Sequence, residues 1–345
     1  MATEIKEVSS KRDLKSFIYF PFWLYSGNKY WVPSLIKEEK FAFDKNKNPF
    51  YDAGDARLYL VYKDRRIAGR VAVMAKHAEL ESENKMRFGW LDFEDDREVS
   101  TLLFEAIEAS AKELSASNIE GPVNFENGQR EGVLIDGFQE KPTLASAYNH
   151  SYYQRHIEAW GFEKKHDLRV YKLAMTESGT SQNFNGNALP ENGFTESKHA
   201  KKEMAANFSK AGNAFKFLAP FVPEENFTVL KNKGIAVAFS ALMPSFTNSI
   251  QRAKGHLSLF ASFLLMLEKR RAEHAELFLH IETEPQQKAL TQFMISNALL
   301  ICQTNNIKTL SSNLILESSA LENSWQSFGA ACAKKRRVYS KLVEN

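Results

Sequence analysis

The sequence predicts an α/β chain made of two similar lobes in tandem, each a mixed central sheet flanked by helices. Three observations predict it. The order hairpin, strand, helix, strand, helix, strand occurs twice, which calls for helices packed on a sheet. Ile67 and Ile235, Gly161 and Gly329, and Tyr171 and Tyr339 each stand 168 positions apart, a repeated spacing that points to duplication. Between the halves, residues 174–198 (AMTESGTSQNFNGNALPENGFTESK) are rich in Gly, Asn, Ser and Thr and lack apolar periodicity, as a linker or long surface loop does. The expected division is therefore 1–173, a linker at 174–198, and 199–345.

The elements follow in order. RLYLVYK (57–63) and RIAGRVAVMA (66–75) flank a turn at Asp64 and read as a hairpin. MRFGWLDF (86–93) is the next strand. Leu103, Ile107 and Leu114 then share one helical face, as do Leu102, Ala106 and Ala109. NIEGPVNF (118–125) is a strand, a short helix runs up to Gly161, and LRVYKL (168–173) closes the half. In the second half FTVLK (227–231) and IAVAFSALM (235–243) flank Asn232-Lys233-Gly234 as a second hairpin. ELFLHIET (276–283), a helix carrying Leu290, Met294, Ala298 and Ile301, KTLSSNLIL (308–316), a short helix before Gly329 and KRRVYSKLV (335–343) complete it.

The 345 residues exceed one ordinary core and suit two domains. A net charge of +3 does not mark a nucleic-acid binder. The 26 phenylalanines supply core area, and some suit an apolar or acyl-binding cleft. Cys302 and Cys332 form no disulfide framework or zinc knuckle, and no histidine spacing suits a metal. Two thiols and an amino-terminal MATEIKEVSS without an apolar stretch predict the reducing cytoplasm. The longest apolar stretch, Leu257 to Leu267, is shorter than the ~20 residues of a membrane span. It reads as a buried helix, with a membrane-surface role as the alternative.

Several segments resemble a bacterial group of tandem acyl-CoA N-acyltransferase (GNAT) proteins of unassigned substrate. They are FPFWLYSGNKYWVP (20–33), FGWLDF (88–93), GPVNF (121–125), EGVLIDGF (131–138) and YNHSYYQRHIEAWGF (148–162) in the first half. ILESSALENSWQSFGA (315–330) and KKRRVY (334–339) resemble the closing segments of a GNAT domain. The resemblance implies that acetyl-CoA or another acyl-CoA binds where the central strand splays from its neighbour. A loop R/Q-x-x-G-x-G/A after that strand then holds the pyrophosphate on backbone N–H groups at a helix start.

In the second half this places the coenzyme at Ile281, Thr283, Gln286, Gln287, Lys288, Ala289 and Leu290. Gln286 fits the first loop position, Lys288 adds a charge, and the glycines are absent. In the first half Glu94-Asp95-Asp96-Arg97-Glu98 stands there; its carboxylates suit a helix start but repel a pyrophosphate. Trp325, four residues before Gly329, stands where the resemblance implies a tyrosine acid, and tryptophan cannot give up a proton in that role.

N-acyl transfer needs a base for the amine and an acid for the leaving thiolate. Glu317 and Glu282 follow strands whose ends border binding crevices in α/β sheets, and either suits the base. His150 suits a base and Tyr153 an acid, with Asn124, Glu126, Arg130 and Tyr152 nearby as substrate contacts. The plain alternatives are solvated carboxylates and loop hydrogen bonding, with N-capping by Asn149 or Ser151. The leading expectation is N-acyl transfer from acyl-CoA to a small-molecule amine. Two others stand beside it: an aminoacyl-tRNA-dependent transferase meeting phosphate through Lys334 to Arg337, and a non-catalytic ligand-binding protein.

Overall fold

The hairpin turns explain themselves. Asp64 and Arg65, and later Lys233 and Gly234, all take positive φ. Two such residues in a row make the tight turn whose twist matches antiparallel strands. The computed structural model describes residues 3–125, 130–175, 193–206, 217–282 and 287–343.

Along the first half run β1 (Thr3–Glu7), α1 (Lys11–Leu24), α2 (Ile36–Ala42), β2 (Gly54–Lys63), β3 (Arg66–Lys76), α3 (His77–Glu83), β4 (Lys85–Phe93), α4 (Arg97–Glu113), β5 (Asn118–Gly121), β6 (Val133–Asp136), α5 (Tyr152–Ala159) and β7 (Glu163–Ala174). The second half contributes β8 (Phe194–Glu196), α6 (Ala200–Ala206), β9 (Phe227–Asn232), β10 (Ile235–Pro244), α7 (Thr247–Arg252), α8 (Leu259–Arg270), β11 (His274–Ile281), α9 (Gln287–Thr304), β12 (Thr309–Ser312), β13 (Ile315–Leu316), α10 (Ala320–Ser327) and β14 (Ala331–Leu342). Two expected strands are shorter. Pro122, which has no N–H to give a ladder, ends β5 at Gly121. The 308–316 stretch breaks into β12 and β13 at Asn313-Leu314.

The compact units do not follow the halves cut at the linker. The first comprises Met1–Lys141, Ala147–Asp167 and Arg336–Asn345; the second comprises Pro142–Ser146 and Leu168–Lys335. The closing strands are exchanged. In the first unit the end of β14 lies antiparallel on β5, Tyr339 opposite Gly121. In the second, the end of β7 lies antiparallel on β12, Ala174 opposite Thr309. Strand pairing needs only an open edge, so a duplicated closing strand fits either copy.

In the first unit β1 to β4 are antiparallel neighbours, and β5 runs parallel to β4. Leu103, Phe104 and Ile107 of α4 and Tyr153 and Ile157 of α5 bury against one face, with Val71, Val73 and Phe88. Phe17 and Ile18 of α1 and Ile36 of α2 bury against the other, with Leu60, Ala72 and Met74. Each such large side chain contributes about 1.5–3 kcal/mol. In the second unit β8 to β11 are antiparallel and β12 is parallel to β11. Leu290, Met294, Ile295 and Leu299 of α9 cover one face.

β4 carries a bulge: its four residues Gly89 to Asp92 stand opposite three on β3, Arg70 to Ala72, and Trp90 takes a φ of 45°. A Cβ at Gly89 would lie 2.1 Å from the Val123 carbonyl oxygen. Gly89→Ala is therefore expected to destabilise the first unit by about 3 kcal/mol, read from its urea midpoint.

Candidate functional site

The parallel pair β11 and β12 holds together from His274–Thr309 to Leu277–Ser312 and then parts. The Leu277 carbonyl accepts the Asn313 N–H at 3.2 Å, the last bond across the seam among the described residues. On its other edge Glu282 N–H bonds the Val237 carbonyl, so even-numbered residues of β11 face β10. By strand alternation the main-chain groups of Leu279 and Ile281 point into the opening. Among the described residues, Asn313 Oδ1, at the end of the seam, is buried without a hydrogen-bond partner, as is Trp325 Nε1 in the core of this unit. Trp325 is fully buried in one apolar cluster with Leu277 and Ile315. Leaving such groups unpaired costs about 1–3 kcal/mol each. The described start of α9, at Gln287, follows β11 closely in sequence.

The equivalent seam in the first unit is occupied by the protein itself. Phe88 carbonyl accepts Val123 N–H at 2.8 Å, matching the last bond in the second unit. Beyond the bulge, Phe93 N–H donates to the Tyr153 hydroxyl at 3.1 Å, and Tyr152 donates to the Phe93 carbonyl. The α4 N-terminus is spent too: Asp96 Oδ1 accepts Glu98 N–H at 2.9 Å. Lys63 meets Asp96 at 2.5 Å, while Arg155 and His156 meet Asp95 at 2.6 and 2.8 Å.

Behind that seam lies a buried polar network that begins with Pro21 inside α1. Proline has no N–H, so the Phe17 carbonyl loses its helical donor. Arg70 Nη1 supplies one at 2.7 Å. Arg70 Nε also donates to Asp92 Oδ2 at 2.8 Å, and Tyr25 donates to Asp92 Oδ1 at 2.7 Å. The Tyr25 and Tyr153 hydroxyls are 2.9 Å apart. Burial, then Asp92, pushes both phenols well above their usual range.

The other predicted residues fall as follows. His150 is half-buried, stacked on Tyr152 with ring centroids 5.4 Å apart and 5.0 Å from Tyr25. Burial holds its imidazole below the usual range. Asn149 does not cap α5; its amide bonds Leu134 N–H and carbonyl, and Ser151 makes no capping bond. Arg130 is held by Ser34, Glu38 and Glu39, and Asn124 is half-buried beside the bulge. Glu317 lies 3.7 Å from Arg169, and Glu282 is exposed 3.6 Å from His280. Ile281 and Gln287 are half-buried, Lys288 and Ala289 exposed, and Leu290 buried. Glu126, Thr283 and Gln286 lie outside the described residues, as does most of the linker. The structure thus brings His150, Tyr152 and Tyr153 together, with Asp92, and sets Glu317 near Arg169 in the other unit.

The basic run requires a correction. Lys334 and Arg336 are buried rather than held out to phosphate. Arg336 donates to the carbonyls of Glu131, Gly132 and Ala147, and Arg337 to Asp167 at 2.8 Å. A guanidinium bonded to main-chain carbonyls is not offered to phosphate. Sequence reasoning also missed Arg70, Asp92 and Glu276, though charges inside apolar strands are a signal. Glu276 is buried on β11 and accepts Leu144 N–H at 2.8 Å. Its carboxyl is pushed up to about 7 by burial.

No family model matches the chain. It is 33% identical over 175 residues to Protein YghO of Escherichia coli K12, covering 50% of this chain and 45% of that protein. It is 28% identical over 172 residues to a protein of Caulobacter vibrioides named bacterial ceramide synthase, covering 49% and 45%. The chain thus spans about half the length of these curated relatives. Among solved structures it resembles a tandem GNAT protein from the clavulanic acid biosynthesis pathway, with a TM-score of 0.58, 9% identity and coverage of 100% and 99%. A glucosamine N-acetyltransferase region of a fungal β-N-acetylglucosaminidase gives 0.58 at 12% identity, covering 99% of this chain and 38% of that one.

Proposed function

From the premise of a tandem GNAT-like fold, we propose that the chain is an acyl-CoA-dependent N-acyltransferase whose coenzyme lies in the β11–β12 opening of the second unit. The observation that carries this reading is that opening: strand main chain at Leu279 and Ile281 faces it, and Asn313 Oδ1 stands unpaired at its start. Amide groups of an extended coenzyme arm add to a free strand edge as another strand does. The start of α9, with Lys288, favours the pyrophosphate. Transfer would form the amide C–N bond and break the thioester C–S bond, with the proton lost by the amine passing through Glu317 and solvent to the departing thiolate. Glu317 serves as the base for the amine. Trp325 supplies no proton to the leaving group. The first unit carries no coenzyme; its seam is filled by Tyr152 and Tyr153 and its helix start is capped by Asp96.

The name bacterial ceramide synthase, borne by a relative, denotes the maker of an N-acylated lipid. A long-chain lipid amine is the proposed acceptor class.

Calorimetric titration of the full chain with acetyl-CoA and octanoyl-CoA tests the coenzyme site. Saturable binding is expected, weakened at least about tenfold by Gln287→Glu, which sets a carboxylate against the pyrophosphate, and by Asn313→Leu. Binding of neither coenzyme by the wild type overturns the reading.

A further inference from the structure

Helix α8 is apolar on both faces, contrary to the expectation of a buried helix. Ala261, Leu264 and Leu265 are buried, and the helix packs on α7 and the 3-10 turn Ala219–Phe221. Leu259, Phe260, Phe263 and Met266 are 93%, 60%, 57% and 56% exposed. At 3.6 residues per turn these four occupy an arc of about 120° opposite the buried side. A helix that is apolar all round belongs in an interior or against lipid.

The margins of that face are cationic. Arg252 and Lys254 precede the helix, Lys269 and Arg270 end it, and Arg271 follows; all five are exposed, and none forms a salt bridge among the described residues. The carboxylate of α8, Glu268, is turned to α7, accepting Asn248 and Ser249 N–H at 3.2 and 2.7 Å. The next, Glu273, pairs with Lys308 at 2.5 Å. With 12 residues the helix is about 18 Å long, short of the ~30 Å hydrocarbon core. Such a helix lies along a bilayer. A second copy of the chain fits poorly: antiparallel helices would set Arg252 and Lys254 against the partner's cationic end.

We propose that α8 docks the protein on an anionic lipid bilayer. Leu259, Phe260, Phe263 and Met266 enter below the headgroups, and the five flanking cations meet lipid phosphates. The proposal stands on this face alone and is independent of coenzyme binding.

Flotation of the full chain with phosphatidylcholine vesicles, with and without about 30% phosphatidylglycerol, tests it. Flotation with the anionic vesicles is expected, weakening as salt rises from about 0.1 to about 0.5 M. Phe260→Ser/Phe263→Ser and Lys269→Glu/Arg270→Glu should each lower it at least about tenfold. Thermal unfolding of both variants should match the wild type, because the replaced side chains are exposed. Absence of flotation with anionic vesicles, or equal flotation of wild type and variants, overturns the proposal. So does a lipid-free dimer, seen by light scattering, that the Phe260→Ser/Phe263→Ser change splits, since a second copy would then cover the face.

Discussion

Glu276→Gln is expected to raise the stability of the second unit at pH 8 and to leave it almost unchanged below pH 4.5. The wild-type carboxyl is buried, with the Leu144 N–H donating to it and the charges of Lys334 and Lys172 as further partial compensation. Burial lifts it from 4.5 to about 7. The folded state therefore holds a proton that the unfolded chain has released between those values. The stability that this proton linkage contributes is complete below the unfolded pKa and is lost as pH rises through the folded one. The loss reaches about 3 kcal/mol above pH 7, from a shift of that size at 1.36 kcal/mol per unit. A neutral amide accepts the same N–H and escapes it. The difference should appear as a transition roughly 5–10 °C higher for the variant at pH 8, converging with the wild type as pH falls. A constant difference across pH would show that packing, not ionisation, separates the two proteins.

Asp92→Ala should have the opposite sign and a similar size in the first unit. It strands the Arg70 guanidinium, which is 5% exposed, and strips acceptors from Tyr25 and Tyr153. Removing one partner of a buried pair costs about 3–5 kcal/mol, chiefly through the charge left behind. Arg70→Met/Asp92→Leu should recover much of that, because neither charge then remains. Urea unfolding of the single and double variants measures the coupling. Additive losses in the double variant would mean that Arg70 and Asp92 act independently despite their 2.7 Å contact.

The hairpin strands, β4 and β11, the two hairpin turns and the helices α4 and α9 were readable one residue at a time. Apolar spacing and turn chemistry are local properties, and Asp64-Arg65 and Lys233-Gly234 turn the chain wherever they stand. The GNAT-like order followed from them, and so did the acidic first loop, where Asp96 indeed caps its helix. The aromatic signature at 20–33 was visible, but its purpose was not. The reason for Pro21 is a carbonyl freed for Arg70, 53 positions away. Trp325 was read as a substitution, but that its Nε1 is buried without a hydrogen-bond partner appears only in the packed structure.

By itself, then, the sequence determined the two hairpins, the strands β4 and β11, the helices α4 and α9, their doubled order and the two dissimilar loops, because these rest on neighbours within a few residues. Only the tertiary structure decided which closing strand completes which sheet, that Lys334 and Arg336 turn inward, and that Tyr152 and Tyr153 bridge to Phe93 in the first unit. Each of those outcomes depends on hydrogen bonds and burial between residues remote in the chain. A charged or apolar side chain has the same sequence signature whether it faces solvent, as Phe263 does, or a core.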